Sequence, residues 1–490
     1  MKGYNMWLKK LKPYLNFPLL AAISGMAYVI IYSAIDHIKQ NSSSELEGKT
    51  IIYYWEKWSG AEYNAMKSIV DDFNKSQDNI YVKMLSVSSI EQKLMLATAG
   101  GAPPDVAGVW SHTINTFARK GALTPLDGLM KRNGIKASDY IPVFIELCQL
   151  YGFTWALPTT PGTVGLHWNK KLFREAGLDP ESPPQSIAEL DKMAEMLTIV
   201  KIKRKGINTR IRYSRLTEEE KDTKDFSIVQ LGYSPSIPGW YNEMWGFWFG
   251  AKLWNGKDKI CANSLQNIEA LQWYGSFAQK YGIRNLQEFG ASCGNFASPS
   301  DPFLSEKVAM VQQGVWMYNF INKFSPAMEW GAAAFPSADP ARLSNVCIAE
   351  TDVLVIPRGS KHIPQAFEFI KYTQKRKVLE KLNLAQRKFP PLADISDDFY
   401  QKHPNKYIKV FVKLSESKNA KSVPAIPIWN EYKNEFIVAY DQAFTGITTP
   451  ATALENISHR VQLQLDRVIK RWELVKERRF KEWRKIDDQN

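Results

Sequence analysis

Cysteine and histidine are scarce in this chain, with four of one and six of the other among 490 residues. Cys148, Cys261, Cys293 and Cys347 form no CxxC pair, which removes zinc-ribbon and thioredoxin-type chemistry. If the domain is exported, one or two disulfides are allowed, with Cys261 and Cys293 the pair to consider. Four small buried hydrophobes fit the spacing equally well. A P-loop, a GxSxG elbow, an HExxH helix and a dinucleotide fingerprint are all missing. His112 stands beside Trp110, yet no nucleophile, base and orienting group gather around it. Glu56, Asp105, Glu243 and Glu350 lie near aromatic clusters. Two of them could form a glycosidase pair, but the sequence gives no separation between them, and carboxylates beside aromatics also hydrogen-bond sugar hydroxyls or sit in turns. The sequence therefore predicts no catalytic residue, no metal and no cofactor, and a protein that is not an enzyme.

A distributed positive charge is missing too. The net charge is +13, but residues 1–16 carry +4, residues 201–224 carry +5 and residues 470–490 carry +3. The rest of the chain is close to neutral. Charge confined to three short segments does not make the continuous basic groove that a nucleic acid needs, so nucleic acid is excluded as a partner.

What the chain has in quantity is tryptophan, sixteen in all. Several sit in short polar motifs rather than in hydrophobic runs. Trp55 and Trp58 lie in YWEKWSG (54–60), and Trp240, Trp245 and Trp248 in GWYNEMWGFW (239–248). Trp110 and Trp316 follow strand-like runs. Indole offers a flat, rigid apolar face with a polar edge, which suits the C–H faces of sugar rings and other flat or cationic ligands. These residues point to a ligand cleft.

Residues 17–35 form an uncharged, largely apolar run preceded by Lys2, Lys9, Lys10 and Lys12. About 20 such residues cross a hydrocarbon core of about 30 Å. The flanking lysines place the N-terminus in the cytoplasm and everything after Ile35 outside. A cleaved signal peptide is the rival reading, but residues 32–34 (YSA) match a cleavage site poorly, and no cysteine follows the run to take a lipid. The expectation is a basic tail (1–16), a transmembrane anchor (17–35) and a polar linker (36–49). The protein would sit on the inner, cytoplasmic membrane with its binding domain facing the periplasm or cell exterior.

Beyond the linker the pattern alternates. Residues 50–55 read as a buried strand, 61–75 as an amphipathic helix, 80–85 as a strand, 89–99 as a helix and 105–110 as a strand. Such βα alternation predicts an open α/β sheet whose ligands bind at the carboxyl ends of its strands. Trp55, Trp58 and Trp110 fall at those ends. The pattern restarts after Gly152, with a charged insert at 201–225 expected as a solvated loop or short hairpin. Residues 245–253 read as helix, and the C-terminus is helical from 428 onward. Trp472, Phe480 and Trp483 are expected to pack on the body rather than on a membrane.

From residue 50 onward the order of motifs resembles the family 1 extracytoplasmic solute-binding proteins of ABC importers, the group that contains maltose-binding protein. The segments that carry the likeness are QKLMLATAGGAPPDV (92–106), ARKGALTPL (118–126), LHWNKKLFREAGL (166–178), FLSEKVAMVQQGVWM (303–317), PRGSK (357–361) with AFEFI (366–370), and TTPATAL (448–454). Together they span about 50–468. The resemblance implies a two-lobed α/β fold of the type II periplasmic-binding kind, with ligand between the lobes. Lobe 1 would take 50–155 and about 345–390. Lobe 2 would take 160–340 and about 391–468, leaving 469–490 as a basic helical extension.

The resemblance also implies site residues. Trp316 matches the tryptophan of the family's Gly-x-Trp motif, and Trp240 and Tyr241 stand where a second-lobe aromatic meets ligand. Trp55, Glu56, Trp58, Trp110 and Ser111 belong to first-lobe loops, while Asp105 is expected chiefly to hold its own turn. Glu350 with Thr351 replaces a Gly-Gly common in the family. That puts a carboxylate near the hinge mouth and favours hydroxyl donors or a cationic group. The implied function is capture of a sugar or oligosaccharide, with permease subunits of an ABC importer as partners. A solute-sensing receptor ectodomain and a glycan-processing enzyme stay open as alternatives.

Overall fold

The structure is a computed structural model that describes residues 48–489. The basic tail, the apolar run 17–35 and the linker as far as residue 47 lie outside the described residues. Among the described residues, no helix is long and apolar enough to cross a membrane.

Strand β1 (Thr50–Glu56) buries Ile52, Tyr54 and Glu56 on one face, the period of two expected of a pleated strand. It pairs in parallel with β2 (Ile80–Ser86) on one side and β3 (Val106–Trp110) on the other. The helix Gly60–Lys75 connects β1 to β2 and turns Ala65, Met66, Ile69, Val70 and Phe73 inward. That spacing keeps one stripe of a 3.6-residue helix against the sheet. A small hairpin, β4 (Gln149–Leu150) and β5 (Phe153–Thr154), precedes the long strand β6 (Leu157–Asn169), which is buried along its whole length. A strand buried on both faces is a central strand.

The charged insert is a hairpin, the second of the two forms expected. Here β7 (Ile199–Arg204) and β8 (Ile207–Arg212) pair antiparallel, with β9 (Phe226–Gln230) on the other side of β7. Residues 245–253 do not form an α-helix; Asn242–Phe249 winds as a 3₁₀ segment, with Trp245 and Trp248 in the core. Further on, β10 (Met310–Gly314) and β11 (Trp330–Ala333) pair antiparallel with β6, and β12 (Cys347–Val355) runs antiparallel between β3 and β6. The resulting path through the main sheet is β10-β6-β12-β3-β1-β2. The four cysteines are free thiols, Cys148 and Cys347 buried and Cys261 and Cys293 partly so, and the Cys261–Cys293 pairing does not occur.

Two large cores lie at the two ends of this sheet, as in a mixed α/β fold of two lobes. One gathers Ile52, Val82, Val109, Trp155 and Phe369. The other gathers Leu166, Leu190, Trp248, Phe277 and Tyr432. A third, smaller cluster gathers Phe144, Val315, Phe389 and Phe411. Strands β6 and β12 pass from one large core to the other.

The C-terminal helix Pro450–Gln489 has 40 residues, about 60 Å at 1.5 Å per residue. Its first half buries Leu454, Ile457, Val461 and Leu465 in the second core. Its far end buries Trp483 in the first. Trp472 stacks on Tyr151 with ring centres 4.6 Å apart, and Trp483 meets Trp155 edge-on at 4.8 Å. Asp487 accepts the Gly128 amide at 2.8 Å. The extension is packed against the body, and one continuous helix is anchored in both cores.

Candidate functional site

Strand β12 carries the floor of a cavity of about 300 Å³. Its register against β6 pairs Glu350 with Gly162, Thr351 with Pro161 and Asp352 with Thr160, and the register then slips between Asp352 and Val353. Such a bulge re-aims side chains, and here it falls where β12 meets the cavity. Asp352, Thr351, Glu350, Thr160 and Gly162 all line the space.

The walls are aromatic. Trp58 follows the end of β1 and Trp110 ends β3, and the two rings meet edge-on at 5.8 Å. Trp240, Tyr241, Phe296, Trp316 and Phe320 line the same cavity. Trp240 packs edge-on against Phe296 at 4.5 Å, and Phe296 against Phe320 at 4.7 Å. Trp316 follows β10, and its Nε1 donates to Gln313 at 3.0 Å. Two glycines make room for its ring. A Cβ on Gly162 would lie 2.8 Å from the indole, and one on Gly314 would lie 2.3 Å from it. The Gly-Val-Trp sequence at 314–316 thus has a steric meaning: the indole folds back over its own strand only where no side chain stands.

Asp352 is the most heavily bonded group in the cavity. It is 7 % exposed. It accepts from Trp58 Nε1 at 3.1 Å and from Thr160 Oγ1 at 2.5 Å. Lys57 Nζ lies 3.1 Å away and Lys388 Nζ 3.2 Å. Burial by itself would raise its pKa, yet the two ammonium groups and the two donors hold it well below the usual carboxylate range. The same two lysines lie over the aromatic wall, Lys57 Nζ 5.1 Å and Lys388 Nζ 5.4 Å from the Trp58 ring centre. Ser111 Oγ accepts the Thr351 amide at 3.3 Å and ties the β3 end to β12.

Glu350 is different. Its carboxylate has no hydrogen-bond or ion-pair partner among the described residues. Burial raises its pKa, against the pull of His112 and Lys433. It raises the Tyr241 phenol in turn, second to that ring's own burial.

Of the residues expected from the sequence, Trp58, Trp110, Ser111, Trp240, Tyr241, Trp316 and Glu350 line this one cavity. Trp55, Glu56 and Asp105 do not. Trp55 packs against the first core. Glu56 is 3 % exposed and is held by the Tyr54 hydroxyl and by the Lys57 and Trp58 amides at 2.8 and 3.2 Å. It shapes the turn that presents Trp58. Asp105 accepts the Tyr53 amide at 3.0 Å and the Ser360 hydroxyl at 2.8 Å, and so joins β1 to the loop after β12. Glu62, Thr160, Phe296, Phe320, Asp352 and Lys388 line the cavity without having been expected there. Asp352 and Lys388 had no local signal, because 36 residues and a change of element separate them. Among the described residues, no group of three or more His, Cys, Asp or Glu side chains could hold a metal ion.

The fold as a whole has known relatives. The family model for bacterial extracellular solute-binding proteins matches residues 57–378. The multiple sugar-binding protein of Streptococcus mutans is 22 % identical over 401 residues, covering 76 % of this chain and 80 % of that one. The solved structure of CpMnBP1 with mannobiose bound superposes with a TM-score of 0.69 at 25 % identity, over 84 % of this chain and 98 % of that one. The sugar-binding protein MalE of Xanthomonas citri superposes with a TM-score of 0.67 at 19 % identity, over 87 % and 99 %.

Proposed function

The chain belongs to the bacterial extracellular solute-binding protein family, and on that footing we propose that it captures a sugar or oligosaccharide outside the cytoplasm and delivers it to the permease of an ABC importer. It is a binding protein and not an enzyme. The observation that carries the reading is the cavity lining: Trp58 and Trp110, in edge-on contact beside the first core, share one cavity with Trp240 and with Tyr241 and Trp316, which pack against the second core. Flat apolar faces on both sides suit a pyranose ring, whose two faces each present C–H groups. The polar groups between them, Thr160, Ser111, Asp352, Lys388 and Glu350, set the orientation of the hydroxyls.

Capture proceeds by closure. Lobe 1 takes 50–155 and about 345–390, and lobe 2 takes 160–340 and about 391–468, so β6 and β12 are the hinge strands. A ligand that touches both aromatic walls does so only when the lobes are close, and its binding energy shifts the population to that form. The apolar run 17–35 anchors the protein in the cytoplasmic membrane and leaves the binding body on the outer side, within reach of the permease.

Native mass spectrometry tests the reading. Protein recovered from cells fed a mixed glycan hydrolysate should carry an adduct whose mass is a whole number of sugar units. Trp316→Ala should lose it. A folded wild-type protein that carries no saccharide, from this or any hydrolysate, rejects the sugar reading.

A further inference from the structure

The charges around the cavity do not balance. Asp352 has both Lys57 and Lys388, and Lys57 also lies 3.5 Å from Glu56. Glu243, 3 % exposed, has Lys433 at 3.2 Å. Lys57, Lys388 and Lys433 are thereby each paired with a carboxylate. The carboxylates of Glu62 and Glu350 are left with no ion-pair or hydrogen-bond partner among the described residues, although both residues line the cavity. Glu62 has another use, since it stands in the first turn of the helix Gly60–Lys75, where a negative charge is favoured. Glu350 has no such use. It lies mid-strand, opposite Gly162, the glycine that the Trp316 ring covers.

An ionised carboxylate in a half-dry aromatic pocket is costly unless something of opposite charge meets it. Neutral hydroxyls would satisfy its lone pairs but not its charge. A cation does both, and the faces of Tyr241, Trp110 and Trp316 add their own attraction for positive charge. An anionic solute would meet the uncompensated glutamates, with the lysines already taken by other carboxylates.

We propose that the ligand carries a basic nitrogen, an amino-sugar unit rather than a wholly neutral saccharide, and that Glu350 pairs with its ammonium inside the aromatic wall. This rests on the reading of the cavity as a sugar site. It adds that the site selects by charge, accepting cationic saccharides and rejecting uronic or phosphorylated ones. The charged and titratable groups facing Glu350 are His112 beyond β3, Lys433 on the helix Trp429–Phe444, Glu243 and Tyr241 on the segment after β9, and Asp352 on its own strand. As pH falls, protons compete with the ammonium for the carboxylate, so affinity for the amino sugar declines while affinity for a neutral sugar does not.

Calorimetric titration of the full chain in detergent with matched pairs tests this. Cellobiose and the β-1,4-linked glucosamine disaccharide differ only in hydroxyl against ammonium at two carbons. Galactose with galactosamine and mannose with mannosamine extend the set. In at least one pair the amine should bind tenfold or more tightly than its neutral partner at pH 7. Glu350→Gln should erase that preference, and Glu350→Asp should keep part of it. The neutral sugar's affinity should stay within about threefold, and a melting midpoint of the empty Glu350→Gln protein at or above that of wild type would exclude unfolding as the cause. Neutral members binding equally well or better would overturn the charge proposal and leave the sugar reading intact. Binding by no member of any pair would overturn the charge proposal. Loss of the sugar reading itself is read separately, from the saccharide adduct in mass spectrometry.

Discussion

Replacing Asp352 with asparagine keeps the shape of the side chain and removes its charge, so the cost measures electrostatics with little cavity contribution. In the native protein the carboxylate neutralises two ammonium groups whose side chains are 1 % and 8 % exposed. Lys57 retains Glu56 at 3.5 Å and the Val109 carbonyl at 3.3 Å, but Lys388 has no other carboxylate partner among the described residues. Breaking a buried ion pair by removing one partner costs about 3–5 kcal/mol. Neutralising a lysine at pH 7 costs at most about 4.6 kcal/mol, which sets a similar ceiling. Urea denaturation followed on the first unfolding transition should therefore show a loss of about 3–5 kcal/mol, since two lobes need not unfold together. The pH dependence should change as well. A carboxylate whose folded pKa is depressed contributes stability above its unfolded pKa of about 3.9, and that stability is lost as pH falls through the folded value. Acid unfolding of the wild type should be steep below pH 4, and that of the variant flatter. Changing Asp352, Lys57 and Lys388 together to apolar residues should recover part of the loss, because no charge is then stranded. A single Asp352→Asn variant within about 1 kcal/mol of wild type at pH 7 would refute the view that this carboxylate holds the two lysines in place.

Three further outcomes follow from the same geometry. Gly162→Ala puts a Cβ 2.8 Å from the Trp316 ring, so the indole must shift. Stability should fall by about 1–3 kcal/mol and saccharide affinity should drop with it, as calorimetry would record. Glu350→Gln should raise the melting midpoint of the empty protein. Burial lifts the pKa of this group, so its contribution is present at low pH and lost as pH rises through the folded value; the gain should be clear at pH 7 and vanish in acid. Trp483→Ala removes a ring that is 1 % exposed from the foot of the C-terminal helix. A loss of about 3–5 kcal/mol on the transition of the first core is expected by denaturant titration, and an unchanged transition would mean that the foot is not held there.

The aromatic walls were legible in the sequence because the signals are local. Trp58 follows one short apolar strand-like run and Trp110 closes another, and Trp316 follows a Gly whose missing side chain the ring needs. The hidden part of the site is tertiary. Thr160 and Asp352 are 192 residues apart and meet only through the pairing of β6 with β12. Lys388 arrives from a loop with no motif of its own. Glu56 looked like a ligand contact for a sound reason, its place at a strand end, but the amides that follow it in the chain claim its oxygens first. The insert at 201–225 was read as loop or hairpin because its charges mask the alternation; only Val200 and Ile202 of β7 turn inward. Asn242–Phe249 is apolar enough to read as helix, yet it winds as 3₁₀ while Trp245 and Trp248 reach the core.

The central claim is that one saccharide is gripped by two facing aromatic walls. Calorimetric titration of the best-binding saccharide against wild type, Trp58→Ala and Trp316→Ala tests it most directly. Each truncation should cost about 2 kcal/mol, roughly thirtyfold in Kd, and the double variant should bind too weakly to detect. Undiminished affinity in either single variant, with the fold intact, would contradict a grip made from both sides.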